Sequence, residues 1–489
     1  MSMLVQIKRL TKDTFSYGLS SSLQKLITFF LFPIYARLLT PTDFGIQDVI
    51  QTSVYIVTLF LVLGLDSSVM MFYYESQEEE KPKILSTYLW FEIIVSIPIV
   101  LILIFAAKPI CGLILNDPKL APYFQIGIGS VPLALVVGSM LSTLRLTFQT
   151  KKFVLMTTVG VILQISFAIL FVIVFKWAVK GVLLSILVSY FFQTILGIIL
   201  TKNSYIFFLS TIWLKKLLKN GLPLVPAALS FWVMSYANRF FLIEYSTLED
   251  IGLLSIVNRV SSVLMLFLTA FSSAWGPYAY SLAINPTEAK ETYGRILTYF
   301  TLFSLTAALG LSLFAREVIL ILATSVYEKG STIVMATCLS SVIWSAMYIV
   351  GMGTGIAKKN HHYTISVVMG AIVNTVFNYL LIPHFGVTGA VYSTLIGNVI
   401  SLIYIYNAGQ QYFRVKYENY KLLFIVLLVI FATVVGIWID YKFEVWDYLL
   451  IIYKLLIFIL YFISLIVFKI ITRTDILKCY NLIYDKFTS

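Results

Sequence analysis

Charge is what this chain has least of. Asp, Glu, Lys and Arg make up 12% of its 489 residues, about half the share found in soluble globular proteins. Cysteine is nearly as scarce: Cys111, Cys338 and Cys479 are the only three, too few and too scattered for a disulfide framework or a metal cluster. The three histidines, His361, His362 and His384, sit at the ends of apolar runs without the clustered partners of a metal site. The sequence lacks a G-x-x-x-x-G-K-[ST] phosphate loop, an H-E-x-x-H pair and a dinucleotide fingerprint in a strand-turn-helix setting, which disfavours nucleotide-driven pumping and metal hydrolysis. GMGTGIAKKN (351–360) is rich in glycine, but it closes an apolar run. Its Gly351-x-x-x-Gly355 spacing reads more simply as a close-packing or hinge element.

Apolar residues fill the space that charge leaves. The chain is 60% hydrophobic and 16% aromatic, with mean hydropathy +0.92. Its apolar runs are long enough for helices to cross a bilayer, about 20 residues each, rather than the alternating runs of about 10 that barrel strands would give. The fold class is therefore an all-α polytopic membrane protein. Fourteen spans are predicted, at 14–36, 44–72, 83–106, 120–143, 153–175, 181–200, 221–243, 251–273, 293–314, 331–356, 363–382, 388–408, 420–439 and 447–468. The opening stretch is basic but shows no small-residue cleavage site, so the first span is expected to remain in the mature protein.

The net charge of +12 raises the question of nucleic acid, and its distribution argues against it. With both termini placed in the cytoplasm, and Lys83, Arg295 and Lys421 at the inner edges of their spans counted as inner, 23 of the 35 Lys and Arg fall on inner segments, 8 on outer loops and 4 within spans, as the positive-inside rule expects. Lys151 and Lys152, then Lys215, Lys216 and Lys219, then Lys358 and Lys359 read as topology signals beside anionic headgroups. The expected location is a bacterial cytoplasmic membrane, multi-pass, in contact with membrane lipids and with no nucleic-acid partner.

The sequence also repeats. TPTDFGIQDVIQ (40–51) resembles STLEDIGLLSIVNR (246–259), with Asp43 on Asp250 and Gly45 on Gly252 at an offset of 207. Lys151-Lys152 falls on Lys358-Lys359 at 207, and WAVKGVLLSIL (177–187) on FGVTGAVYSTL (385–395) at 208. A register held over more than 130 residues divides the chain into two six-span halves, 1–205 and 206–415, followed by two additional spans and a cytoplasmic tail, 416–489. Six is even, so both halves enter from the same side as a parallel repeat, a build in which transporters commonly bind substrate between halves.

The polar residues inside the spans form stripes. Asp48, Gln51, Thr52, Tyr55 and Thr58 recur at three- and four-residue spacing, as do Ser255, Asn258, Arg259, Ser262, Thr269 and Ser273. Such stripes should avoid lipid, since hydrocarbon leaves their hydrogen bonds unmade, although small hydroxyls serve equally as packing contacts between helices. The charges are harder to place. Lys25, Arg239 and Arg259 lie inside spans, and Glu92 and Asp66 are the acids suited to ion coupling. Snorkelling towards the headgroups is one account of the cations. The other is a cationic cavity for an anionic group. Each cation costs about 2.5 to 3.5 kcal/mol to insert, whereas a unit-charge pair at 4 Å gains about 4 kcal/mol at an effective dielectric of 20. A diphosphate between such cations would offset the cost, and arginine's fork suits its oxygens. Glu92 and Asp66 can carry a proton or pair with a neighbouring cation, and coupling to H+ or Na+ stays open.

Residues 38–75, LLTPTDFGIQDVIQTSVYIVTLFLVLGLDSSVMMFYYE, and 238–280, NRFFLIEYSTLEDIGLLSIVNRVSSVLMLFLTAFSSAWGPYAY, resemble the two signature regions of bacterial polysaccharide-repeat-unit flippases. These are the Wzx-type members of the multidrug/oligosaccharidyl-lipid/polysaccharide (MOP) superfamily, related to MATE exporters and lipid II flippases. The six-plus-six-plus-two plan matches as well. The resemblance implies V-shaped MOP/MATE-like bundles and no enzymatic activity. It implies translocation of an undecaprenyl-pyrophosphate-linked oligosaccharide (O-antigen, capsule, exopolysaccharide or wall-polymer unit) by alternating access through a cationic cavity. A polysaccharide polymerase is a further partner it allows. Arg239 in NRFF and Arg259 in VNRV match positions where the family places cavity-facing polar or basic groups. Lys25 joins them on its depth, with Asp48, Gln51, Tyr55, Asn238 and Asn258 as the polar lining. Where many members carry an acid before the first arginine, this chain has Asn238. The short outer loops, AKPICGLILNDPKL (107–120) among the longest of them, argue for transport over a membrane glycosyltransferase or ligase. A lipid II-type flippase and an ion-coupled multidrug exporter are the alternatives. The latter sits poorly with basic candidate groups.

Overall fold

The computed structural model describes residues 33, 35–283, 285–443, 447–468 and 470. The described residues form helices and no strands. Twelve helical segments among them are long and apolar enough to cross a membrane. Eleven match the predicted spans one to one. The twelfth, His361–Tyr412, breaks at Gly386 (φ 51°, ψ −128°) and spans the two runs predicted at 363–382 and 388–408. Most of the first predicted span, including Lys25, lies outside the described residues.

The chain divides into two compact units. The first comprises Met1–Ile256, Leu322–Thr324 and Val367–Gly397. Within it Lys81–Phe105 packs on Val131–Leu146, and Thr150–Ala168 packs on Ala178–Thr201. One apolar cluster joins Leu65, Val69, Ile84, Leu85 and Leu217, and a second joins Leu89, Val137, Met140, Leu144 and Met156. The second unit comprises Val257–Ile321, Ser325–Ser366 and Asn398–Ser489, with Pro286–Leu313 packed on both Val334–Val350 and Asn419–Asp440.

The 207-residue repeat has a structural counterpart inside the first unit. Thr40 opens the Pro41–Val62 helix with a capping box: the Asp43 amide donates to Thr40 Oγ1 at 3.2 Å and the Thr40 amide to Asp43 Oδ2 at 2.9 Å. Thr247 stands 207 residues later, before the Leu248–Leu282 helix. There the Asp250 amide donates to Thr247 Oγ1 at 3.2 Å, and Thr247 Oγ1 to Asp250 Oδ2 at 3.1 Å. These equivalent helix starts touch. A Cβ added to Gly45 would lie 2.0 Å from the Leu248 carbonyl oxygen, and one added to Gly252 would lie 2.1 Å from that of Pro41. Pro41 and Leu248 are themselves repeat equivalents, so one backbone contact is made twice, and only glycine admits it.

The Pro41–Val62 helix ends where Leu63 and Gly64 both turn left-handed, and Leu65–Glu75 continues in a new direction. Gly64 presses on Gly221: its Cβ would lie 2.6 Å from the Gly221 carbonyl oxygen. In the second unit the tight backbone approach near GMGTGIAKKN is made by Gly353 against Gly409, at 2.4 Å from an added Cβ to the carbonyl oxygen. Gly355, for its part, faces the Tyr280 hydroxyl. The contact therefore lies between the two glycines of the predicted spacing.

The two C-terminal helices, Asn419–Asp440 and Tyr448–Val467, carry a buried ion network that the sequence reading did not single out. Lys454 has no solvent exposure and donates to Glu317 Oε1 at 2.7 Å and Oε2 at 2.8 Å. Asp440 Oδ1 lies 2.7 Å from the same ammonium as an ion pair but accepts no aligned hydrogen bond. Beside it Arg316 Nε donates to Glu328 at 2.6 Å and Nη1 to the carbonyls of Asp440 and Phe443. Inside hydrocarbon such charges persist only when paired.

Candidate functional site

Arg239 is the first residue to account for. The Val225–Tyr236 helix is interrupted at Ala237 and resumes as Asn238–Tyr245, which carries Arg239 in its first turn. The side chain is buried. Its Nε donates to Asp48 Oδ2 at 2.9 Å, and its Nη1 donates to the Ser235 carbonyl at 2.6 Å and to Asn238 Oδ1 at 2.8 Å. The Asn238 position, where the resembling family often has an acid, supplies a neutral acceptor, and the counter-charge arrives from Asp48 on the Pro41–Val62 helix.

Aromatic rings close around this pair. The Arg239 guanidinium lies 5.3 Å from the Tyr236 ring centroid, a cation–π contact. Tyr236 in turn is 5.3 Å from Tyr55, and Trp232 is 6.5 Å from Tyr236 and 6.0 Å from Phe240. Trp232 Nε1 donates to the Thr52 carbonyl at 3.3 Å. On the same helix as Asp48, the buried atoms Gln47 Oε1 and Thr52 Oγ1 have no hydrogen-bond partner among the described residues. Buried polar groups are ordinarily satisfied, so such exceptions call for an explanation. Gln51 is half-buried on this helix, and Tyr55 is partly exposed.

The first unit thus brings together Asp48, Asn238, Arg239 and, through Tyr236, Tyr55. Arg259 and Asn258 belong to the second unit, where both are half-buried. The hydroxyls of that stripe bond back to their own helix: Ser262 to the Arg259 carbonyl at 2.6 Å, Thr269 to Met265 at 2.7 Å and Ser273 to Thr269 at 2.8 Å. That pattern satisfies them locally.

The two acids part company. Glu92 is buried between Lys81–Phe105 and Val131–Leu146, where the Ser139 hydroxyl donates to its Oε2. Asp66 is exposed in the first turn of Leu65–Glu75, with Oδ1 accepting from the Ser67 amide at 2.8 Å.

Outside the spans, Glu80 begins the Lys81–Phe105 helix and accepts from Lys83 at 2.6 Å and from Trp213 Nε1 at 2.6 Å. Those two donors hold its carboxyl below the usual range. Trp213 belongs to Thr211–Gly221, whose Leu217 is buried against the first apolar cluster while Lys215, Lys216 and Lys219 stay exposed.

Known proteins place this architecture. The family model described as "Polysaccharide biosynthesis protein" matches residues 34–332, more than half of the chain. A search of the curated proteins gives no significant sequence match. Among solved structures, the lipid II flippase MurJ in an inward closed conformation superposes with TM-score 0.74 at 15% identity, covering 93% of this chain and 98% of that one. An inward-facing multidrug resistance MATE family transporter of the MOP superfamily gives TM-score 0.67 at 14% identity, covering 79% and 94%. An outward-facing counterpart gives 0.59 at 16%, covering 81% and 93%. These likenesses are of fold, shared by a flippase and by transporters. This multi-pass membrane chain, helical throughout its described residues, belongs to the polysaccharide biosynthesis protein family and shares its fold with MurJ and the MATE transporters.

Proposed function

We propose that the protein is a flippase that carries an undecaprenyl-pyrophosphate-linked oligosaccharide repeat unit from the cytoplasmic to the outer leaflet of a bacterial cytoplasmic membrane, both termini facing the cytoplasm. The observation that carries this reading is the buried Arg239, held beside Asp48 and against the Tyr236 ring. The pyrophosphate would take the place of the Asp48 carboxylate at Arg239, exchanging one anion for another without stranding the guanidinium. Tyr55, Tyr236 and Trp232 offer faces and edges suited to sugar rings, and Gln51 and Thr52 offer partners for sugar hydroxyls. Membership in a polysaccharide biosynthesis family supports a glycan cargo.

A second reading, a peptidoglycan-precursor flippase, draws on the structural likeness to the lipid II flippase MurJ. The test uses a host lacking its own repeat-unit flippase but carrying a matching glycan pathway. Wild-type protein should restore surface polymer, and Arg239→Ala at normal membrane levels should leave the lipid-linked intermediate in the inner leaflet. Rescue of a lipid II flippase deletion instead would move the assignment to the second reading. Complementation by a stably inserted Arg239→Ala protein would remove Arg239 from the site.

A further inference from the structure

Between Asp117 and Glu244 the chain contains no Asp or Glu. The exposed cations of that stretch include Arg145, Lys151, Lys152, Lys202 and the three lysines of Thr211–Gly221, and the fold gathers these at one end of the first unit. Arg145 closes Val131–Leu146, Lys151 and Lys152 open Thr150–Ala168, and Lys202 follows Ala178–Thr201. Lys152 Nζ donates to the Leu200 carbonyl at 3.1 Å, which joins two of these helix ends. The Tyr205 and Thr143 hydroxyls bond at 2.8 Å, and the Ile206 and Ser210 amides donate to the Ser86 and Thr87 hydroxyls at 2.8 and 3.0 Å. The segment leading to Thr211–Gly221 is thereby fixed at the same end.

Lys215, Lys216 and Lys219 share one face of their helix, where like charges three and four residues apart repel. Among the described residues none of the three forms an ion pair. Lys216 lies over the Trp213 ring at 4.4 Å, and Glu80, the acid that feels it, is already bonded to Lys83 and Trp213. The second half is different: in 413–421, 207 residues beyond 206–214, Glu418 accepts from Lys421 at 2.6 Å. Apolar side chains stand beside the unanswered lysines. Phe207 is 91% exposed and Ile212 68%, with Ile206 and Phe208 exposed as well. A topology signal needs the positive charges but not these rings and aliphatic groups. Lysines on a polar face with bulky apolar residues at its edge are the pattern of a segment lying in a headgroup layer.

We propose that residues 202–219 are a docking surface for anionic phospholipid. Phe207 and Ile212 enter the acyl boundary, and Lys202, Lys215, Lys216 and Lys219 meet headgroup phosphates, with Arg145, Lys151 and Lys152 extending the positive field. Charge complementarity selects the occupant: cations gathered without an acid repel one another until anions collect at them, and an anionic bilayer surface supplies negative charge and apolar depth together. Zwitterionic phospholipid offers the depth without net charge, and free phosphate offers the charge without depth. Anionic lipid thus fastens the segment that leads into Val225–Tyr236, the helix of Trp232 and Tyr236.

The test follows hydrogen exchange of residues 206–219 in the full-length protein held in lipid nanodiscs. Replacing about a third of the phosphatidylcholine by phosphatidylglycerol should slow exchange there about tenfold in wild type, and about 0.5 M salt should remove most of the difference. The combined variant Lys215→Gln, Lys216→Gln, Lys219→Gln changes only exposed side chains; it should melt as wild type does in detergent and respond to phosphatidylglycerol by less than about twofold. Phe207→Ser should respond less than wild type while keeping the salt dependence. Equal exchange of wild type in the two lipids, or a lysine variant that responds as wild type does, overturns the surface. Slowing of the same size in phosphatidylcholine discs on addition of inorganic phosphate assigns the lysines to a free anion and overturns the lipid. A Phe207→Ser response equal to that of wild type overturns the insertion of the ring.

Discussion

Arg239 and Asp48 are 191 residues apart in the chain and 2.9 Å apart in the fold, the guanidinium Nε donating to Oδ2. A charge in hydrocarbon is kept where a partner neutralises it, and here the partner arrives from a different helix. Asp48→Leu should destabilise the protein by about 3 kcal/mol or more, because removing one member of a buried pair leaves the other uncompensated. Asp48→Asn keeps the shape and loses the charge, and should lower the thermal midpoint less than Asp48→Leu does. The double exchange Asp48→Arg with Arg239→Asp should recover most of the stability but not flipping, since the cation then stands on the wrong helix. Melting curves of detergent-purified variants and the polymer assay check both halves of this statement.

The mirrored contact of Gly45 and Gly252 gives a steric prediction. Gly45→Val and Gly252→Val should each separate the helix starts and have similar effects on stability, because each meets a backbone carbonyl at about the same separation. Melting curves of the two variants check this, and a Gly45→Val or Gly252→Val protein as stable as wild type would show that the two helix starts need not touch.

Lys454 should be intolerant of single replacement. Lys454→Met leaves Glu317 and Asp440 facing each other without their common cation, a loss of about 3 to 5 kcal/mol. The triple variant Lys454→Met, Glu317→Gln, Asp440→Asn should recover much of that loss. Unfolding followed by heat or by denaturant distinguishes the two.

The Trp213–Glu80 bond should give the Thr211–Gly221 helix a pH-dependent anchor. The Glu80 carboxyl lies below its usual range through its hydrogen bonds from Lys83 and Trp213. The stabilisation is therefore fully present above the ordinary carboxylate value and fades as pH falls through the depressed one. Hydrogen exchange in residues 211–221 should rise on acidification, and Glu80→Gln should raise it at neutral pH while flattening the pH response.

Much of this molecule was legible before any coordinates. Apolar run length marks membrane spans because a helix must satisfy its own backbone in lipid, and eleven described segments fall on predicted runs one to one. Asp43 with Asp250, and Gly45 with Gly252, marked two similar stretches, and in the fold a threonine hydroxyl caps each of those helix starts while their backbones meet. The rarity of charge in the spans made Arg239 and Glu92 conspicuous, since each is expensive there. Lys454 carried the same signal in YLLIIYKLLIFIL and went unremarked.

Partnership was beyond the sequence's reach. That Asp48 answers Arg239, that Glu317 and Asp440 share Lys454, and that the Ser139 hydroxyl meets Glu92 depend on which helix faces lie together. The hydroxyl stripe through Ser262, Thr269 and Ser273 looked equivalent to the one through Asp48 and Thr52, yet the first bonds to its own backbone and the second places Asp48 in a buried ion pair. Periodicity along a helix specifies a face, because side chains recur every 3.6 residues. It carries no term for the helix on the other side, and so the sequence by itself determined the spans and the charges within them, while only tertiary packing decided which of those charges neutralise one another.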